Sequence, residues 1–133
     1  SLQGDLGAGK TTFTRHLLQS LGVGGRIKSP TYAVMEPHEG RLSSGRTFNI
    51  AHFDFYRFRD PQEWEDAGFR DVFAAPGLKL CEWPDRAAGL MPTPDLELSI
   101  AIGPHDERSV TAHGFTAAGT AMVSALASSW NVA

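Results

Sequence analysis

Residues 4 to 11 read Gly4-Asp5-Leu6-Gly7-Ala8-Gly9-Lys10-Thr11 and fill every fixed position of the G-x-x-x-x-G-K-[ST] phosphate-binding loop. Such a loop must curl tightly enough to aim several backbone N–H groups at one anion, and Gly4, Gly7 and Gly9 supply the freedom that a Cβ would remove. Lys10 then offers a point charge to the β- and γ-phosphates and Thr11 a hydroxyl to Mg²⁺, while the helix that starts here turns its positive end toward the same anion. The spacing predicts a nucleoside triphosphate site built from Asp5, Leu6, Gly7, Ala8, Gly9, Lys10, Thr11 and Thr12. Directly downstream, Phe13, Leu17 and Leu21 recur every fourth residue, the stripe of an amphipathic helix that Gly22 is placed to end. A phosphate loop normally follows a buried strand, yet only Ser1, Leu2 and Gln3 precede this one and the first residue is not Met, so an N-terminally shortened domain is expected.

With 133 residues, 41% hydrophobic and 20% charged, the chain has the composition of one globular domain, residues 1–133, long enough to bury a real core. It contains no apolar run of the ~20 residues that a membrane helix needs, so a cytoplasmic, membrane-free protein is expected. Its lone Cys81 lies in the apolar run Leu78-Lys79-Leu80-Cys81 and reads as a buried free thiol rather than a nucleophile or metal ligand. The five histidines, His16, His38, His52, His105 and His113, show no metal-ligand spacing and read as surface or satisfied core. A net charge of −3 argues against a surface that grips RNA by its phosphates, so any nucleic acid is expected to be reached locally or through a partner.

Along the chain, Ser29-Pro30 forces an extended entry into a candidate strand at residues 31–35. Residues 37–46 lack apolar periodicity and read as a loop between antiparallel strands, the second being residues 47–55 with Phe48, Ile50, Phe53 and Phe55. Asp60-Pro61-Gln62-Glu63 is a helix start, with a short helix expected to stop at Gly68. Residues 78–82 read as a buried strand closed by Pro84, residues 95–102 as a half-exposed strand, and residues 109–115 as its partner. A last helix from about Ala117 carries Met122, Leu126 and Trp130 every fourth residue, a stripe expected to be core. With the phosphate loop in front, this succession predicts an α/β, P-loop NTPase-like three-layer sandwich, a mixed central sheet flanked by helices.

A phosphate loop needs a further carboxylate for the metal or the attacking water, placed at the carboxyl end of a neighbouring strand. Asp54, ending His52-Phe53-Asp54, and Glu82, ending Leu80-Cys81-Glu82, both meet that description. Their alternative reading is a surface acid capping a strand end. Trp83, between Glu82 and Pro84, has three open readings: core packing, outward contact with a partner macromolecule, or contact with nucleotide.

Four blocks, Gly4 to Thr12, Ser29 to Tyr32, His52 to Arg57 and Glu82-Trp83-Pro84, resemble in order the bacterial TsaE (YjeE) family. The resemblance covers residues 4 to 84 and implies the ATPase subunit of the machinery that makes N6-threonylcarbamoyladenosine in tRNAs reading codons that begin with A. It further implies ATP and Mg²⁺ as cofactors, with TsaD-like and TsaB-like subunits as partners and tRNA reached through that complex. Residue by residue, it implies a switch-like segment at Ser29 to Tyr32 and a Walker B aspartate at Asp54. Glu82 resembles the glutamate that joins the loop threonine, here Thr11, on Mg²⁺, so that Lys10, Asp54 and Glu82 are the implied catalytic residues. The family carries roughly a strand and a helix more before the loop. Two other readings of the phosphate loop stay open: a small-molecule kinase, for which the chain lacks an Arg-rich lid, and a non-hydrolysing nucleotide-dependent binding module. No N-K-x-D segment supports guanine specificity.

Overall fold

A computed structural model of the chain describes residues 1–27, 30 and 33–130, the side chain of Trp130 excepted. Its strands are β1 (Leu2–Gln3), β2 (Met35–Arg41), β3 (Thr47–Asp54), β4 (Leu78–Glu82), β5 (Leu96–Ile102) and β6 (Arg108–Gly114). They form one mixed sheet in the order β2-β3-β4-β1-β5-β6, with β3, β4, β1 and β5 parallel and the two outer strands antiparallel to their neighbours. The helices are α1 (Lys10–Ser20), α2 (Pro61–Asp66), α3 (Phe69–Ala74) and α4 (Ala117–Trp130).

Side-chain alternation along β3 and β4 divides the interior into two layers. Ile50 and Leu80 point to one face, where Leu18 of α1 seals them with Leu17 and Leu21 alongside. Phe53 and Cys81 point to the other, where α2 and α3 add Trp64, Phe69 and Phe73 to a packed aromatic cluster with Phe55 and Phe58. Helices on both faces of a mixed sheet are the arrangement the sequence predicts. Cys81 is buried in this cluster, and desolvation pushes its thiol up to about 12, so it is the inert thiol expected.

Several boundaries differ from the sequence-based expectation. The candidate strand at residues 31–35 falls partly on Thr31 and Tyr32, outside the described residues, as do Lys28 and Ser29 of the segment before it. Ala33 and Val34 are not in a strand, because Val34 takes a left-handed φ of 65° that breaks extended backbone. Strand β2 then runs through residues expected to be loop, leaving only 42–46 to turn. It sits at the sheet edge, where Pro37 is tolerated and its ladder hydrogen bonds, with Met35 packed on the core, hold it.

Asp60 caps α2 as predicted, accepting from the Gln62 N–H at 2.9 Å. Gly68 ends that helix but also opens α3, whose Phe69, Val72 and Phe73 carry the i, i+3, i+4 signal that the sequence reading passed over. Helix α4 is where expected, but its stripe is not core: Met122 and Leu126 are each 43% exposed. The helix leans on the sheet by its Gly119 face instead, so close to the Asp95 carbonyl that a Cβ at Gly119 would overlap it. Trp130's side chain, the third member of that stripe, lies outside the described residues.

Candidate functional site

The loop between β1 and α1 lies at the carboxyl ends of the parallel strands, the place where open α/β sheets bind ligands. Gly9 occupies the N-cap of α1 with φ 108°, a value that needs glycine, and it caps with no side chain, so the first N–H groups of the helix face the loop's concavity. Lys10, only 5% exposed, donates from Nζ to the carbonyls of Gly4 and Asp5, the latter at 3.0 Å. The Asp5 carbonyl also accepts from the Ala8 N–H at 3.0 Å. Asp5, Leu6 and Gly7 stand exposed at the tip, while Ala8 is buried beneath.

The two predicted acids come together. Asp54 and Glu82 are register partners at the ends of β3 and β4, and both side chains point to the face that carries α1. Thr11 Oγ1 donates to Glu82 Oε1 at 2.9 Å, joining the start of α1 to the end of β4. On the far side of the same carboxylate, Oε2 lies 2.6 Å from His52 Nε2, with His52 and Glu82 each 1% exposed. Asp54 is half-buried, and its Oδ1 accepts from the Tyr56 N–H at 3.0 Å. Its own N–H donates to the carbonyl of Val34, so the left-handed residue before β2 also seats this acid.

Burial shapes the titration of the charged groups. Desolvation raises the Asp54 carboxyl above its ordinary range and the neighbouring Glu82 charge adds to that, against the Tyr56 hydrogen bond and the Lys10 charge. Desolvation also lowers Lys10, which the carboxylates of Glu82, Asp54 and Asp5 partly offset. An anionic ligand in the loop would act on Lys10 in the same direction as these carboxylates, offsetting the desolvation further by supplying counter-charge.

Gly7, Gly9, Lys10, Thr11, Thr12, Glu82 and Trp83 line a cavity of about 200 Å³. Trp83 is thereby at the mouth of the site. It is half-buried, takes a left-handed backbone (φ 55°, ψ 51°) and places its ring centroid 4.1 Å from Lys10 Nζ and 4.9 Å from the Tyr56 ring. Of its three readings, core packing holds in part, since the half-buried Trp83 packs against the aromatic cluster.

A family model described as "Threonylcarbamoyl adenosine biosynthesis protein TsaE" matches residues 1–110. The chain belongs to the TsaE family. It is 44% identical over 101 residues to the TsaE protein of Haemophilus influenzae, covering 74% of this chain and 60% of that one. With the Bacillus subtilis TsaE protein it shares 38% over 120 residues, covering 90% of this chain and 69% of the relative. Both relatives are named tRNA threonylcarbamoyladenosine biosynthesis proteins. The chain thus spans less than two thirds of the first relative's length. Among solved structures, that of Bacillus subtilis YdiB superposes with a TM-score of 0.73 at 28% identity, over 95% of this chain and 74% of that one. Family and fold together support a nucleotide-binding role.

The donors in this TsaE-family site suit a hard divalent cation: a threonine hydroxyl beside a carboxylate oxygen, with a second carboxylate in register. Among the described residues no group of three or more His, Cys, Asp or Glu is placed to hold a metal, and Thr11 with Glu82 would supply only part of such an ion's oxygen ligands. His52 is the site residue that sequence reading missed. The signal was available, since a strand period of two puts His52 on the same face as Asp54. Ser29, Thr31 and Tyr32 of the switch-like segment lie outside the described residues.

Proposed function

We propose that this chain is a Mg²⁺-dependent ATPase, weak alone, that serves the formation of N6-threonylcarbamoyladenosine in tRNA together with TsaD-like and TsaB-like subunits. The observation that carries the reading is the Thr11–Glu82 hydrogen bond beneath the phosphate loop, which sets two oxygen donors side by side where the loop delivers phosphates. Family membership supplies the pathway. The net charge of −3 favours tRNA contact through the complex rather than by a basic surface of this chain. The reading takes residues 1–133 as one ATPase unit working in the cytoplasm; among the described residues no helix is long and apolar enough to cross a membrane.

In this reading the backbone N–H groups around Gly9 and the start of α1 hold the phosphates, and Lys10 leaves its carbonyl partners to meet the β- and γ-phosphates. Thr11 and Glu82 would hold Mg²⁺, whose positive charge would be supplied against the phosphates. Asp54, whose proton affinity burial raises, orients and deprotonates the attacking water.

Phosphate release from ATP is the test, measured for the chain alone, with the two partner subunits, and with added small-molecule acceptors. Partner-stimulated hydrolysis, with threonylcarbamoylation of tRNA restored in a reconstituted system, is expected. Phosphoryl transfer to an acceptor would identify a kinase instead. ATP binding with no turnover under any condition would leave a binding module.

A further inference from the structure

Arg108 opens β6, in the C-terminal hairpin, yet its guanidinium lies against the phosphate loop 100 residues earlier. Nε donates to the Ala8 carbonyl at 3.1 Å, and Nη2 lies at 3.5 Å from the Gly7 carbonyl. The other edge of the group is fixed by Asp106, with Nη1 donating to its carbonyl at 2.7 Å and to its Oδ1 at 3.0 Å. Asp106 itself sits in the β5–β6 turn with a left-handed φ of 60°. The arginine is therefore held from its own hairpin and reaches across to the loop.

Peptide planarity gives that reach a consequence. In a trans peptide the C=O and the N–H of the next residue point in opposite directions. The carbonyl that Arg108 holds belongs to the peptide whose N–H is that of Gly9, so fixing the Ala8 carbonyl outward aims the Gly9 N–H inward, toward the cavity that Gly9, Lys10 and Thr11 line. A glycine-rich loop has little stiffness of its own, and without an outside hold the peptide between Ala8 and Gly9 is free to rotate. The guanidinium also brings a permanent positive charge next to an anion site.

We propose that Arg108 is a positioning residue for nucleotide binding: it braces the Gly7–Gly9 peptides of the phosphate loop from the β5–β6 hairpin, so that the loop's affinity for polyphosphate depends on this distant contact. The inference rests on the nucleotide-binding reading of the loop. It does not involve the metal or the hydrolytic step.

Calorimetric titration of the full chain with ATP, in EDTA and in Mg²⁺, tests it with Arg108→Met, Arg108→Lys, Asp106→Ala and Lys10→Ala. Arg108→Met is expected to weaken ATP binding roughly tenfold in both buffers, about what loss of one charged hydrogen-bond donor costs, and to raise KM without changing kcat. Arg108→Lys, which keeps the charge and one donor, should fall between it and the parent. Asp106→Ala keeps the arginine but frees its anchored edge, and should weaken binding in the same direction, so the idea stays testable if Arg108→Met does not fold. Parent-like affinity in Arg108→Met, alongside lost binding in Lys10→Ala, would overturn the brace and leave the nucleotide site standing. Unchanged affinity in all four variants would sink the nucleotide reading itself. A fall in kcat at saturating ATP with unchanged affinity would also overturn the brace, since the arginine would then act on the transition state.

Discussion

His52 and Glu82 form a buried pair, Nε2 to Oε2 2.6 Å, with side chains 2% and 1% exposed. Because Glu82 Oε1 already accepts from Thr11, the two ends of the carboxylate are assigned to different partners, and the imidazole fixes which oxygen faces the loop. A carboxylate held this way cannot rotate to chelate or drift toward Lys10.

Replacing His52 therefore tests the orientation of Glu82. His52→Leu should lower ATP turnover by roughly 10- to 100-fold, the range seen when a partner of a metal ligand is removed, and should raise the Mg²⁺ concentration needed for half-maximal tightening of ATP binding. His52→Gln can place an amide N–H near the Nε2 position and should recover part of both. Equal loss in the two variants, with unchanged Mg²⁺ dependence, would reduce His52 to a packing role.

Glu82→Ala and Thr11→Ala should each impair Mg²⁺-dependent steps more than metal-free nucleotide binding, because the pair supplies the oxygen donors at the loop. Nucleotide titrations with and without Mg²⁺ separate the two. If the Mg²⁺ dependence of Glu82→Ala matches the parent's, Asp54 becomes the acid that serves the metal.

Lys10→Ala should weaken ATP binding by roughly 10- to 100-fold, as expected for removing a charged donor to phosphate, while leaving the fold intact. The carbonyls of Gly4 and Asp5 that Lys10 now satisfies belong to a loop open to water, so they can be resolvated. Thermal melting alongside calorimetry distinguishes a binding defect from unfolding.

What the sequence makes legible here is local chemistry. The phosphate loop is read from spacing alone, the α2 cap from Asp60-Pro61, and the two acids from their position after buried runs, because each depends on neighbours within a few residues. Strand β2 stayed hidden because an edge strand is held by its ladder and needs no apolar pattern. Met122 and Leu126 misled because periodicity gives the face of a helix but not whether the sheet offers a surface to it; Gly119 turned the other face inward. Arg108 carried no local signal of its contact with the phosphate loop, since the carbonyls of Ala8 and Gly7 lie 100 and 101 residues away.

Trp83 gives an optical handle on Lys10. Its ring lies under the ammonium group, and an incoming triphosphate that draws Lys10 off the ring should change the fluorescence of that indole. Trp64 is buried in the aromatic cluster and should not respond. An ATP-dependent emission change that persists in Trp83→Phe and disappears in Trp64→Phe would contradict the placement of Trp83 at the cavity mouth.

Asp54 links the site to stability. Desolvation raises its carboxyl pKa in the fold, so folding favours its protonated form. The sign follows from linkage: a carboxyl whose folded pKa exceeds its unfolded value stabilises the fold below the unfolded pKa, and that contribution is lost as pH rises through the folded value. Above its folded pKa the parent thus carries a charge that the fold disfavours. Asp54→Asn keeps an oxygen for the Tyr56 N–H and removes that charge, so it should melt higher than the parent at about pH 7, by a margin that shrinks toward about pH 4. Its ATP turnover should fall sharply over the same range, since an amide cannot take a proton from water. Melting curves for the two proteins across that range decide the matter. A margin that grows toward acid would mean that Asp54 is stabilised as a carboxylate, and would assign the acid to holding charge rather than to receiving a proton.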